Sequence, residues 1–186
     1  MFEGLDRTGK STQCTKLHEY LRRSGIPAEI WRFPDRSTPV GMMINDYLTS
    51  DTDLDDRCVH LLFSANRWEK NDLMKRKLDQ GITIIADRYI YSGVAYSVAK
   101  RVRGMDRDWC SIPDTGLVQP DTVFYLETSP ESLARRGKYG SERYEETEYQ
   151  TRVLGEFQRM KTLPHWHTID ASESIEDIHA KILNIL

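Results

Sequence analysis

The sequence is sparing with cysteine, with long apolar runs and with excess charge of either sign. Cys14, Cys58 and Cys110 are its three cysteines, far apart and at no metal-ligand spacing, which excludes a disulfide scaffold and a zinc cluster and fits a reducing compartment. Small buried side chains are the plain alternative for them. The longest aliphatic run, 82–86, is far short of the ~20 residues of a membrane span, and no charged-then-apolar leader opens the chain. A net charge of −3 and a pI near 6.0 exclude a general nucleic-acid binder, which would carry a basic excess. Repeats and low-complexity stretches are absent. With 39 % hydrophobic and 30 % charged residues in 186, the expectation is a soluble, cytosolic or nuclear protein, one domain over 1–186, able to bury a core.

What is present alternates between two periodicities. A helix is predicted over about 10–23, stopped by Gly25, then a strand over 28–33 stopped by Pro34. An amphipathic stretch over 55–80 carries Val59, Leu62, Phe63, Trp68, Leu73 and Leu78, and Gly81 ends it before a buried-type strand at 82–86. A helix over 91–100, a strand over 122–126, a basic glycine-bearing loop over 135–144, a helix over 146–161, a strand over 167–170 and a helix from Ile175 complete the chain. Strands separated by helices imply an α/β fold with a mainly parallel sheet of about five strands, active residues gathering at the strands' carboxyl ends.

Gly4-Leu5-Asp6-Arg7-Thr8-Gly9-Lys10-Ser11 has the spacing of a phosphate-binding P-loop. Its glycines let backbone N–H groups turn around an anionic oxygen, Lys10 adds a mobile charge, and Ser11 supplies a hydroxyl for Mg²⁺. The helix from Thr12 onward then aims its N-terminus at the phosphates, unless the stretch is only a Gly-rich helix cap. Asp87 ends an aliphatic strand, where such folds place a Mg²⁺-orienting carboxylate, and its alternative is a helix N-cap. Arg88 beside it suits bidentate phosphate contact. Arg7, inside the loop, either reaches a transferring phosphoryl group or is a solvated arginine, and Arg36 at the end of the second strand carries the same ambiguity. Phe63 and Arg67, four apart on one helix face, suit a planar base with carbonyl acceptors, although Phe63 fits a core equally well. Arg135-Arg136-Gly137-Lys138-Tyr139-Gly140 reads as a closing lid or a charged loop.

These segments resemble the thymidylate kinases, the dTMP kinases of the nucleoside monophosphate kinases, and in particular their eukaryotic and viral branch with a P-loop arginine. The resemblance runs in order through 2–7 with 9–13, Phe33-Pro34-Asp35-Arg36-Ser37-Thr38, 61–69, Asp87-Arg88-Tyr89, 91–96 and Glu142-Arg143-Tyr144-Glu145. It implies a P-loop NTPase fold in three αβα layers, a lid at about 134–146, a homodimer, and transfer from ATP to dTMP with Mg²⁺. It assigns ATP contacts to Arg7, Thr8, Gly9, Lys10, Ser11, Thr12, Arg136 and Ser172, and Mg²⁺ to Ser11 and Asp87. Arg7, Lys10, Asp87 and Arg88 are the implied catalytic set. On the acceptor side Asp6 takes the 3′-hydroxyl, Arg36 and Arg88 hold the phosphate, Phe63 stacks on thymine and Arg67 donates to its O4. Tyr96 lies beneath the deoxyribose, with Phe33, Gly93, Tyr144 and Gln150 also near the acceptor.

No residue stands out as a general base, and none is needed, since a monophosphate with second pKa near 6 is already largely dianionic at neutral pH. Two departures from the family stand out. Lys138 adds charge to the lid, leaving its share against Arg7 open. Met1, Phe2 and Glu3 alone precede Gly4, so about six to ten further apolar residues are expected before Met1 in the working protein. A nucleotide kinase of different base choice and a non-catalytic nucleotide-binding relative are the competing readings.

Overall fold

The computed structural model describes residues 1–49, 53–129, 132–133 and 143–186. Its centre is a five-stranded sheet, β1 (Phe2–Glu3), β2 (Ala28–Arg32), β3 (Thr83–Asp87), β4 (Val123–Glu127) and β5 (Trp166–Asp170), in the order β2-β3-β1-β4-β5. Every pairing is parallel, as expected when a helix separates each pair of strands in sequence. The register sets Arg32 against Asp87, Phe2 against Asp87 and Phe124, Glu3 against Tyr125, and Glu127 against Asp170. The carboxyl ends of the strands therefore meet along one edge, where the residues after them can converge.

The first strand is two residues long, and bonds from both neighbouring strands and the turn beyond β3 hold it in the sheet. The Phe124 N–H donates to Met1 O and the Arg88 N–H to Phe2 O. The Met1 ammonium donates to Thr122 O at 2.8 Å, and burial lowers its pKa to about 6.

Helices α1 (Lys10–Arg23) and α2 (Pro39–Thr49) flank β2 in sequence, and α3 (Asp56–Asp79) leads to β3. After β3 come α4 (Ile90–Val98), α5 (Arg107–Ser111) with a 3-10 turn at Ile112–Asp114, α6 (Thr147–Met160) after β4, and α7 (Ile175–Ile185) after β5. One apolar layer packs Cys14, Leu17 and Leu21 of α1 and Ile178 and Ile182 of α7 against Phe2, Phe124 and Leu126. The other face packs Val94 and Ala95 of α4 and Val153 and Phe157 of α6 against Tyr125 and Val123. Three layers result.

The long helix α3 starts where its cap dictates: the Asp55 carboxylate accepts from the Arg57 and Cys58 N–H groups. Gly81 then turns the chain at φ 76°. Helices α2 and α5 were not expected from the sequence. Helix α2 carried a legible signal all the same, Thr38 followed by Pro39, and the Thr38 hydroxyl accepts from the Gly41 N–H at 3.0 Å. Helix α5 is too short to show a period. The small residues of 93–99 pack inward, Val94, Ala95 and Ala99 joining Cys110 of α5 and Val153 and Phe157 of α6 in one core cluster. Cys14 and Cys110 are buried, whereas Cys58 is exposed, contrary to the plain reading of all three as buried. No helix among the described residues is long and apolar enough to cross a membrane.

Candidate active site

The loop between β1 and α1 owes its shape to its glycines. Gly4 has φ 141°, and a Cβ there would lie 2.5 Å from Leu126 O, so no other residue fits. Arg7 and Gly9 are also left-handed, at φ 63° and 95°. No side chain caps α1 at Gly9, and the uncapped N–H groups of a helix's first turn suit an anion. The Lys10 ammonium folds back to Leu5 O at 2.5 Å, and the Thr8 hydroxyl donates to the same carbonyl at 3.1 Å. Burial, then the nearby Arg88 charge, lowers Lys10 to about 8, partly offset by Asp6, Asp87 and Glu3.

Ser11 Oγ donates to Asp87 Oδ2 at 2.5 Å, and Arg32 Nε donates to the same oxygen at 3.2 Å. A hydroxyl and a carboxylate from two elements are hard oxygen donors of the kind Mg²⁺ takes while keeping waters and phosphate oxygens as its other ligands. No cluster of three or more His, Cys, Asp or Glu able to hold a metal exists among the described residues. The donor set therefore fits Mg²⁺ bound through substrate phosphates and not a protein-only cage.

Arg88 joins the loop to the neighbouring cavity. It is left-handed at φ 66°, its Nη1 donates to Gly4 O and Ser92 Oγ at 2.9 Å each, and its Nη2 donates to Asp6 Oδ1 at 2.6 Å. Asp6 also accepts from the Tyr96 hydroxyl at 2.8 Å and Gln150 Nε2 at 3.0 Å. Burial would raise the Asp6 pKa, but the Arg88 and Lys10 charges with the Tyr96 and Arg88 hydrogen bonds outweigh it and hold the carboxyl below its usual range.

Asp6, Phe33, Arg36, Phe63, Arg67, Arg88, Gly93, Tyr96 and Tyr144 all line one cavity at the sheet's carboxyl edge. Gln150, fully buried, is not in the lining and supports it from behind, donating to Asp6 Oδ2 and to Tyr144 O at 2.8 Å. Arg36 Nη1 donates to Asn45 of α2 at 3.1 Å, and Tyr144 donates to the Tyr47 hydroxyl at 3.2 Å. Arg7 makes a two-point ion pair with Glu145, Nε to Oε1 at 2.8 Å and Nη2 to Oε2 at 3.1 Å, so its solvated-loop alternative does not describe it. Thr12 is exposed in the first turn of α1. Ser172 comes after β5, in a turn whose neighbour Ile175 accepts from Gln13 of α1 at 2.9 Å. Arg136, Lys138 and the rest of 134–142 lie outside the described residues.

Sequence reasoning missed several supports. Glu3 is fully buried and accepts from the Tyr89 N–H at 3.1 Å, the Ser92 N–H at 3.0 Å and the Ser92 hydroxyl, which makes it a cap for α4 supplied from β1. The sequence likewise assigns no role to Arg32, Asp114 or Glu145, which hold Asp87, Arg67 and Arg7. An acidic residue before a P-loop and an arginine before Phe-Pro were the available signals.

The profile of the thymidylate kinase family matches residues 2–182, nearly the whole chain, including every described residue of this cavity. The chain belongs to the thymidylate kinase family. A thymidylate kinase of Arabidopsis thaliana is 52 % identical over 186 residues, covering 100 % of this chain and 69 % of the plant protein. The human thymidylate kinase is 49 % identical over 184 residues, covering 98 % of this chain and 86 % of its own length. A putative thymidylate kinase of invertebrate iridescent virus 6 is 42 % identical over 186 residues, covering 100 % and 86 %. Among solved structures, the thymidylate kinase of Candida albicans superposes with a TM-score of 0.90 at 38 % identity, covering 99 % of this chain and 88 % of that one. Asp6 and Arg88 line the cavity and are joined to each other, and Arg88 also bonds Gly4 O of the P-loop, so the loop and the cavity adjoin there.

Proposed function

We propose that the chain is a dTMP kinase that transfers the γ-phosphoryl group of ATP to dTMP, as one catalytic domain over 1–186. The observation that carries this reading is the shared Asp6–Arg88 pair, at which a phosphate-binding loop and a base-sized cavity adjoin. Thr8, Gly9, Lys10, Ser11 and Thr12 hold the donor phosphates through backbone N–H groups and the Lys10 ammonium. Ser11 and Asp87 would hold Mg²⁺, which would screen the phosphate charge. Arg136, on the lid at 134–146, and Ser172 flank the adenine.

Arg36 and Arg88 hold the acceptor phosphate, and Asp6 accepts the 3′-hydroxyl. Tyr96 fills the space beneath the sugar and crowds a 2′-hydroxyl, Phe63 stacks on thymine, and Arg67 donates to O4. Phe33, Gly93 and Tyr144 complete the walls, and Gln150 steadies Asp6 and Tyr144 from behind. A non-bridging oxygen of the acceptor dianion attacks the γ-phosphorus as the bond to the β–γ bridging oxygen breaks, releasing ADP. No proton need be removed first. The obstacle is the repulsion between two anions, which Lys10, Arg7, Arg36 and Arg88 offset most strongly at the transition state.

ADP formation measured across the common nucleoside monophosphates tests the reading. The expected order is dTMP first, dUMP poorer and UMP much poorer; UMP turned over as well as dTMP removes the role given to Tyr96. Family likeness supports a homodimer, and three free cysteines support a cytosolic or nuclear compartment. Sedimentation of the purified protein at twice the monomer mass checks the first.

A further inference from the structure

We propose that Asp114 is a positioning residue that sets the choice of base by locking the donor face of Arg67. Asp114 ends the 3-10 turn Ile112–Asp114 and is 6 % exposed; it is absent from the lining of the cavity, so it acts only through Arg67. Its Oδ1 accepts from Arg67 Nε at 3.1 Å and Nη2 at 2.9 Å, and its Oδ2 accepts from Nη2 at 2.7 Å. Ser64 Oγ donates to Oδ1 at 2.6 Å, and Trp68 Nε1 ties the turn to α3 through Pro113 O at 2.7 Å. From the other side Gly93 closes the clamp: a Cβ there would lie 2.7 Å from Nη2 and 2.9 Å from Nη1.

The guanidinium is thus held between a carboxylate and a bare stretch of backbone. Two of its nitrogens are engaged by Asp114, and Nη1 makes no hydrogen bond to the described residues while Arg67 lines the cavity. A guanidinium held in one orientation presents only donors, so it suits a ring carbonyl and rejects an exocyclic amino group at the same place. Without Asp114 the same arginine would be a flexible buried cation with no fixed direction. The proposal rests on the dTMP reading, in which Arg67 meets the base.

The test compares dTMP with 2-deoxyribose 5-phosphate, which keeps the sugar and phosphate but has no base. Asp114→Asn is expected to raise KM for dTMP about ten-fold or more, the scale of a charge-assisted hydrogen bond. The inhibition constant of the sugar phosphate and the KM for ATP should stay within about two-fold. Gly93→Ala, which displaces the same guanidinium from the opposite side, is expected to show the same split and serves should Asp114→Asn not fold. Equal weakening of dTMP and the sugar phosphate overturns the proposal, because Asp114 would then merely support the pocket. An unchanged KM for dTMP in Asp114→Asn, with Arg67→Ala impaired, overturns it as well. If Arg67→Ala also leaves dTMP unaffected, the placement of the base on Arg67 fails together with it.

Discussion

Lys10 and Arg7 are two cations of one loop, and their surroundings give them opposite behaviour. Burial and the Arg88 charge lower Lys10 to about 8, from an ordinary value of 10.5. A lysine depressed in the folded state releases its proton there first, so between those two pH values the unfolded chain binds more protons and stability rises with pH. Polyphosphate placed against Lys10 restores its charge. ATP binding at pH 8.5 is therefore expected to take up a fraction of a proton, seen as a dependence of the calorimetric heat on buffer ionisation enthalpy, and to lose it at pH 6.5 or in Lys10→Met. Arg7 is held in the left-handed region by its loop and paired with Glu145. Glycine tolerates that backbone without strain, so Arg7→Gly removes the guanidinium and little else. It is expected to lower kcat by about 10²-fold with dTMP affinity nearly unchanged, because the contact it removes forms mainly in the transition state. Single-turnover and equilibrium-binding measurements separate the two.

Helix α2 and the turn before it decide where Arg36 points. Asn66 of α3 accepts from the Asp35 N–H at 2.7 Å and donates to Asp35 O at 3.1 Å and Thr38 Oγ1 at 2.9 Å, while Lys70 pairs with Asp35 at 2.8 Å. The turn runs so close to α2 that a Cβ on Gly41 would lie 1.8 Å from Asp35 O, a backbone atom that cannot step aside. Gly41→Ala is expected to cost about 2–4 kcal/mol in chemical denaturation, beyond ordinary overpacking, and to raise KM for dTMP through the displaced Arg36. Nothing in local sequence marks this glycine, because its φ is ordinary and the clash is with a turn six residues upstream. The long elements were legible for the opposite reason: α1, α3 and α6 present an apolar stripe and a stop signal within one window.

The sheet reaches its own helices through Glu3. Its buried carboxylate, one residue before the P-loop, accepts from the N-terminus of α4, whose Ser92 also accepts from Arg88. Glu3→Ala would leave those α4 donors buried without a partner, at a cost of about 2–4 kcal/mol. Since Arg88 borders both compartments, KM is expected to rise for ATP and for dTMP together. Steady-state kinetics with each substrate varied in turn would show this, in contrast to Arg67→Ala, which should affect dTMP alone.

Local chemistry was enough to determine the P-loop spacing, the parallel α/β architecture and the sheet edge where the site lies. Each of these rests on spacing within a few residues or on a periodicity that one face of a strand or helix must satisfy. Asp6, Phe33, Gly93, Tyr96 and Tyr144 of the cavity, by contrast, were legible only through the family resemblance. The partners of those residues came from tertiary structure alone. Asp114 lies 47 positions from Arg67, Glu145 138 from Arg7, and Glu3 89 from Ser92. A carboxylate in a turn or a short strand has no local pattern that distinguishes it from a solvated one; only the folding of the chain removes its water and leaves a particular cation or N–H as the group that must satisfy it.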